Sequence, residues 1–388
     1  MPWIRPALAI LLPAPLLLAP TARAQPLKVG DVEIGGALRF NFWDKSWQRT
    51  NNRPIDELEV DTLRAELRYD EGGDWFASAQ YRYYFYQDEK KDSSFFHSAY
   101  VGYRPDEESE VVAGINKVPF GLMPYAGNSY FSTIAYYVGL EDDYDLGIRY
   151  GRDEGPWRVD VGWYPSAEPD GVGQSRDSAR YSYDVVASGT SGNSEENQFN
   201  ARVARSYEFG PVTGEAGLSA QYGKIPNETT GRTGDHWAGA AHLAANYERW
   251  SAKLQTTAYE YDLASAPGED RRRVTMGAYD YPYKVAAAGR IHSLALSYTQ
   301  PVDAMGVEAV TLYNDYSILT KQAEGFGDTQ HNVTGAAIDF EGPVFVYVDY
   351  ALGQNNAWLG PNFGTALAEG GPDNDWEHRF NINVGVYF

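Results

Sequence analysis

Trp376-Glu377-His378-Arg379-Phe380-Asn381-Ile382-Asn383-Val384-Gly385-Val386-Tyr387-Phe388 is the stretch from which the fold is read. Apart from His378 its even positions are apolar or aromatic, and its odd positions are mostly polar. A side-chain period of two with unlike faces marks a strand that meets a different medium on each side. The stretch is longer than an ordinary strand of about five or six residues. About 9–11 tilted residues cross a bilayer, so it can span one. An edge strand of a soluble sandwich would show the same alternation, so recurrence along the chain has to decide.

Working back from this end, sixteen segments alternate: residues 32–42, a second ending at 63–69, then 75–85, 95–104, 111–116, 144–150, 157–163, 197–207, 212–222, 237–247, 250–261, 290–299, 305–318, 331–340, 344–352 and 376–388. The connections carry more weight than any one segment. Those after even-numbered segments (70–73, 105–108, 152–155, 208–211, 248–249, 300–304, 341–343) are short and rich in Gly, Pro, Asp or Glu. Those after odd-numbered segments (44–56, 117–143, 166–196, 224–235, 263–289, 321–330, 353–375) are long, with 87–92 the exception. A soluble sandwich has no reason to sort its loops by parity. An all-β, 16-stranded antiparallel transmembrane β-barrel with short periplasmic turns and long outer loops does. Hydrocarbon offers backbone groups no water, so the first and last strands are expected to pair and close the sheet. Trp75, Tyr86, Trp157, Trp163, Tyr207, Trp237, Trp250, Trp376 and Phe388 lie near segment ends, as interfacial girdles require. Sixteen strands are expected to enclose a lumen that side chains do not fill.

The N-terminus fits export. Arg5, the apolar run 7–19 and Ala22-Arg23-Ala24 read as a secretory signal peptide over residues 1–24, leaving a barrel domain over 25–388. No other stretch approaches the roughly 20 apolar residues of a spanning helix. The chain has 30 Tyr, 16 Phe, 10 Trp and 39 Gly but no Cys. It therefore holds neither a disulfide framework nor a thiolate metal site. Its mean hydropathy of −0.48 is polar despite the aromatics, as when half of every strand faces lipid and half faces water. The net charge of −21 argues against a nucleic-acid partner.

Loop 117–143 is the candidate for narrowing the lumen. Pro119 ends the strand ladder, and Gly121 and Pro124 bend the chain. Val118, Phe120, Leu122, Tyr125, Tyr130 and Phe131 are out of place in a loop facing open water, and folding inward against the barrel wall shelters them. An outward loop packed on neighbouring loops or on a second subunit is the alternative. Ala99-Tyr100-Val101-Gly102-Tyr103-Arg104, followed by Ala113-Gly114-Ile115-Asn116-Lys117-Val118-Pro119-Phe120-Gly121, resembles the phosphate-selective porin O and P family. That family is similar in its glycine in the fifth strand, its Pro-Phe-Gly at the start of the third long loop and its sixteen-strand layout. Phe388 looks like an outer-membrane assembly signal. The resemblance implies a homotrimer in the bacterial outer membrane, in contact with lipid and lipopolysaccharide. It also implies a constriction built by loop 117–143, with Val118, Pro119, Phe120, Gly121 and Tyr125 in it.

The family name does not fix the solute. Phosphate-selective members resemble one another in an arginine ladder and a lysine cluster at the constriction. Parity turns Arg39, Arg64, Arg68, Arg82, Arg104, Arg149, Arg158, Arg202, Lys253 and Arg379 inward, and Lys117 opens the loop. Glu33, Glu66, Asp145, Asp160, Glu215, Asp349 and Glu377 face inward among them. A ring of one sign gives strong ion selection. This mixed face leaves two readings open, salt bridges along the wall and a field across an eyelet. The expected activity is passive diffusion of small hydrophilic solutes, phosphate or other small anions being those the resemblance suggests. A weakly selective pore for cations or sugars and a non-conducting receptor or adhesin barrel are the alternatives. His97, His236, His242, His292, His331 and His378 form no triad with a nucleophile, so no enzyme, cofactor or metal is expected. Asp170, Asp177, Glu195, Glu196, Asp373 and Asp375 read as solvated loop acids, with divalent cations as the other possibility. Arg271-Arg272-Arg273 reads as balancing Glu269 and Asp270, or as a contact for anions and lipopolysaccharide phosphates.

Overall fold

A computed structural model describes residues 26–48, 57–86, 92–371 and 373–388. The expected signal peptide and parts of loops 44–56 and 87–92 lie outside the described residues. The alternating segments become sixteen barrel strands: β1 (Val32–Lys45), β2 (Glu57–Asp70), β3 (Trp75–Tyr84), β4 (Ser93–Asp106), β5 (Ser109–Lys117), β6 (Tyr144–Glu154), β7 (Trp157–Ala167), β8 (Glu196–Phe209), β9 (Val212–Asn227), β10 (Arg232–Tyr247), β11 (Trp250–Asp262), β12 (Ala288–Ala304), β13 (Val307–Lys321), β14 (Thr329–Phe340), β15 (Val344–Gln354) and β16 (Trp376–Tyr387). Each pairs antiparallel with its sequence neighbours. β1 closes the barrel on β16, from Ala37 opposite Tyr387 to Lys45 opposite Arg379. Phe388 exchanges both backbone hydrogen bonds with Gly36 beyond that register. Every strand is paired on both sides, as a wall in hydrocarbon requires.

Trp75, Trp157, Trp163, Trp237, Trp250, Trp376 and Phe388 are exposed on the outside. Tyr86 is not, because its hydroxyl reaches the Tyr279 carbonyl inside the barrel at 2.5 Å. Two loop boundaries also differ from expectation. The β9–β10 ladder runs on to Asn227 opposite Arg232, so a long outer loop at 224–235 gives way to a protruding hairpin. Residues 302–304 belong to β12, which turns into β13 through Met305-Gly306 with φ of 56° and 73°. That sign suits the tight hairpin turn whose twist matches the strands. Both differences share a cause. Past the lipid band both faces of a strand are wet, so the ladder continues where the alternation has stopped.

The larger difference lies inside. Loops 118–143, 168–195, 263–287 and 355–375 fold over and into the outer half of the barrel. Arg273–Ala278 pairs with Tyr281–Ala286, and Asp184–Val185 adds to its edge. The 355–375 loop joins through hydrogen bonds from Lys284 N to Gly364 O and from Ala286 N to Leu367 O. An apolar core follows, with Phe120, Ile134, Val138 and Leu140 packed against Val185, Met276, Val285 and Leu367 and against Ile225, Ile291 and Leu319 of the wall. Loop side chains therefore occupy much of the lumen expected to stand open.

Candidate functional site

Loop 118–143 starts where β5 ends. Gly114, just before it, sits at φ 126° with its backbone so close to β4 that a Cβ there would meet the Ala99 carbonyl oxygen at 2.3 Å. The Val118 N–H donates to Asp143 O at 2.9 Å and ties the two ends of the loop together. Val118, Phe120 and Leu122 are buried. The loop then reaches across the lumen. The Gly121 N–H donates to Ser219 Oγ (3.0 Å) and its carbonyl accepts from Arg202 Nε (2.8 Å). The Leu122 N–H donates to Gln255 Oε1 at 2.7 Å. Asp315 on β13 accepts the Asn128 and Ser129 N–H groups at 2.6 and 2.7 Å and the Asn128 amide at 2.9 Å. Lys253 Nζ donates to Gly127 O, and Asn41 on β1 donates to the Tyr130 hydroxyl. The loop is thus fastened to strands on several sides of the barrel, against the outward alternative.

What remains open is a cavity of about 1790 Å³, lined from the wall by β1–β3, β8–β12, β15 and β16. Its lining extends from Glu208 and Pro211 at the periplasmic turn between β8 and β9 to Trp47 and Tyr86 beyond the outer ends of β1 and β3. Arg39, Arg64, Arg82 and Arg379 line it from the wall, while Tyr125, Tyr130, Phe131, Tyr136 and Tyr137 line it from the loop. Burial, with Asp61 nearby, pushes the Tyr130 hydroxyl up to about 12. Asp142, then burial, raises that of Tyr125. Both tyrosines stay neutral at physiological pH, so the loop side offers faces and hydroxyls rather than charge.

The eleven inward cations divide by what they touch. Arg39 pairs with Asp61 at 2.7 Å. Arg82 donates to Gln80 and lies over the Tyr181 ring at 4.4 Å. Arg379 lies over Trp43 and Phe131. Arg64 stands opposite Arg82 in the β2–β3 register. Among the described residues, Arg64, Arg82 and Arg379 form no ion pair with a carboxylate. The others are otherwise occupied. Arg149 and Arg158 share Glu110 and Asp160, Arg158 also holds Asp153, and Arg202 holds Glu215. Arg68 pairs with Glu66 and Arg104 with Asp70, both near the short-turn rim. Lys117 is held by Asp142 Oδ1 at 2.6 Å and by the Pro124 carbonyl at 2.7 Å. The salt bridges along the wall that the sequence allowed are therefore present for Arg39, Arg68, Arg104, Arg149, Arg158 and Arg202. Asp315, the main anchor of the loop, was not among the inward acids picked out above. Parity within 305–318, which puts Tyr313, Asp315 and Ser317 on one face, was the available signal.

A family profile for phosphate-selective porin O and P matches residues 41–275. No curated protein matches the sequence. The fold is similar to that of the outer membrane channel DcaP of Acinetobacter baumannii, at 12% identity and a TM-score of 0.56, over 94% of this chain and 100% of that one. The anion-selective porin from Comamonas acidovorans is similar at 14% identity and a TM-score of 0.56, over 92% and 99%. OmpT of Vibrio cholerae is similar at 14% identity and a TM-score of 0.54, over 94% and 100%. With the profile spanning more than half of its length on a closed sixteen-strand barrel, the chain belongs to the phosphate-selective porin O and P family and is a channel for small solutes in the bacterial outer membrane.

Proposed function

We propose that this porin prefers small anions, that Arg39, Arg64, Arg82 and Arg379 meet the solute, and that loop 117–143 sets the narrowest part of its path. One observation carries the reading: Arg64 and Arg82 stand opposite each other beside the cavity, with no carboxylate paired to either among the described residues. Like charges directly opposite in a ladder are destabilising, so the arrangement favours an anion between or beside them. Arg379 adds a third unneutralised charge.

Phosphate specificity has less support than anion preference. Lys117 and Lys253 are spent on Asp142 and on the Pro124 and Gly127 carbonyls, and among the described residues Lys45 is the other lysine lining the cavity, which is short of the lysine cluster implied by the resemblance. The aromatic side of the passage suits organic anions with an apolar body better than a small, strongly hydrated oxyanion. Permeation needs no turnover chemistry. The test is the reversal potential of purified protein in a planar bilayer under a KCl gradient, with phosphate or benzoate then added. Reversal on the chloride side, with benzoate reducing the current more than phosphate, supports the reading. Reversal on the potassium side defeats it.

We further infer a homotrimer. OmpT has been described in a trimer form. The wall here is uneven: β3 and β5 have 10 and 9 residues, against 16 and 17 for β9 and β12. A low wall is better placed against a neighbouring subunit than against lipid. Its outer face carries Ala77, Ala79, Ala99 and Ala113 around a shallow groove of about 320 Å³. Bulky substitutions at Ala79 and Ala99 are expected to convert trimers to monomers on unheated gels, and unchanged migration would count against this face. Removal of residues 1–24 predicts a mature N-terminus at Gln25, readable by intact mass.

A further inference from the structure

Away from the passage, the root of the lumen loop meets loop 168–195 around a group of buried acids. Asp143, Asp145 and Asp184 each bring a carboxylate oxygen to within 4.8 Å of the others, and all three residues are buried. Glu168, 1% exposed, accepts the N–H groups of Tyr181 and Ser182 at 3.0 and 2.7 Å through Oε1 and lies beside Asp184. Glu195 accepts the Val185 N–H at 2.8 Å and also neighbours Asp184. Arg180, 3.1 Å from Asp184 and shared with Asp177, is the cation paired into this group. Asp143, Asp145, Glu168 and Glu195 thus gather near Asp184, whose one cationic partner among the described residues is shared with Asp177.

A second observation concerns individual atoms. Asp143 Oδ1, Asp145 Oδ1 and Glu168 Oε2 are closed off from solvent and receive no hydrogen bond among the described residues. The other oxygen of Asp145 has a 3.3 Å contact from Gln198 Nε2. A buried carboxylate oxygen without a donor is costly unless a proton or a cation answers it.

We propose that Asp143, Asp145, Glu168, Asp184 and Glu195 form a Ca²⁺ site. The donors are all carboxylate oxygens, with neither thiolate nor imidazole, which selects a hard cation. Calcium takes 6–8 oxygens at about 2.3–2.6 Å, so two ligands on one ion lie up to roughly 5 Å apart. The three converging oxygens fit within that span. Magnesium prefers strict octahedral geometry and keeps several waters, which a closed, carboxylate-rich pocket suits less well. The ion would join the end of the lumen loop (Asp143), the start of β6 (Asp145) and the second loop (Glu168, Asp184, Glu195). It would thereby hold in place the loop that borders the passage. The inference does not depend on which solute the channel prefers.

Full-length protein purified in detergent, stripped with EDTA and dialysed, is titrated with CaCl₂ by calorimetry at neutral pH. One Ca²⁺ per chain is expected, with proton release on binding. Tb³⁺ added instead should luminesce on tyrosine excitation, since Tyr144 and Tyr181 adjoin the cluster, and Ca²⁺ should quench it. Asp184→Asn should abolish both signals, while Asp270→Asn, in another loop, should leave them unchanged. Glu168→Gln serves as a second variant, and heat-modifiable gel mobility reports whether each barrel has folded. No binding to folded wild-type protein means that the carboxyls hold protons instead, and the proposal falls. It falls equally if folded Asp184→Asn and Glu168→Gln bind as wild type does.

Discussion

In the proposed reading, Arg64 and Arg82 are the residues on which selectivity rests. They stand opposite each other in the β2–β3 ladder without a paired acid among the described residues, whereas Arg149 on β6 and Arg158 on β7 are tied to Glu110 and Asp160. Replacing both Arg64 and Arg82 with Ala should move the reversal potential toward the unselective value and lower anion current. Replacing Arg149 should leave selectivity nearly unchanged, and an equal loss from both would contradict the division. Parity sufficed to turn all of these side chains inward. It did not distinguish paired from unpaired ones, because that depends on register between strands and on the acids that register brings alongside. A titration belongs to the same scale. Burial, with Asp184 beside it, pushes the Glu195 carboxyl up to about 8 from an ordinary 4.5. A raised folded-state value favours the protonated form, so this stabilisation is full below 4.5 and is lost as pH rises through about 8. The Val185 N–H and Arg180 oppose the shift without cancelling it. In EDTA, cleavage of loop 168–195 by a protease should therefore quicken over that pH interval, and a flat profile would contradict the burial of this cluster.

Among the elements, loop 118–143 does most to shape the passage, and its hold on the wall is concentrated at Asp315. Three N–H groups of Asn128 and Ser129 end on that one carboxylate, and hydrogen bonds to a charged group contribute about 1.5–3 kcal/mol each. Asp315→Ala should leave the barrel intact, since β13 keeps both ladders, but free the middle of the loop. Single-channel current is expected to become larger or noisier; an unchanged, quiet trace would mean that the loop does not border the path. The strands were legible in the sequence because lipid outside and water inside impose a period of two on every residue that spans. β9, β10 and β12 ran past their expected ends because that constraint stops at the edge of the lipid. The loops have no period at all. Val118, Phe120 and Tyr130 announced an inward loop by being too apolar for water, but no such signal told which strands would receive it.

For the whole molecule, the barrel is a closed wall whose outer half has been refilled by its own loops. Val138, Leu140, Val185, Met276 and Leu367 make that filling a packed core. The open space is consequently what the loops leave between themselves and the wall, rather than a wide, empty cylinder. The account stands or falls on that space conducting. Insertion of the purified wild-type protein into a planar bilayer in symmetric KCl is the direct measurement. Discrete, long-lived conductance steps are predicted, smaller than a sixteen-strand barrel with an empty lumen would give. A barrel that inserts, folds and carries no current would contradict it.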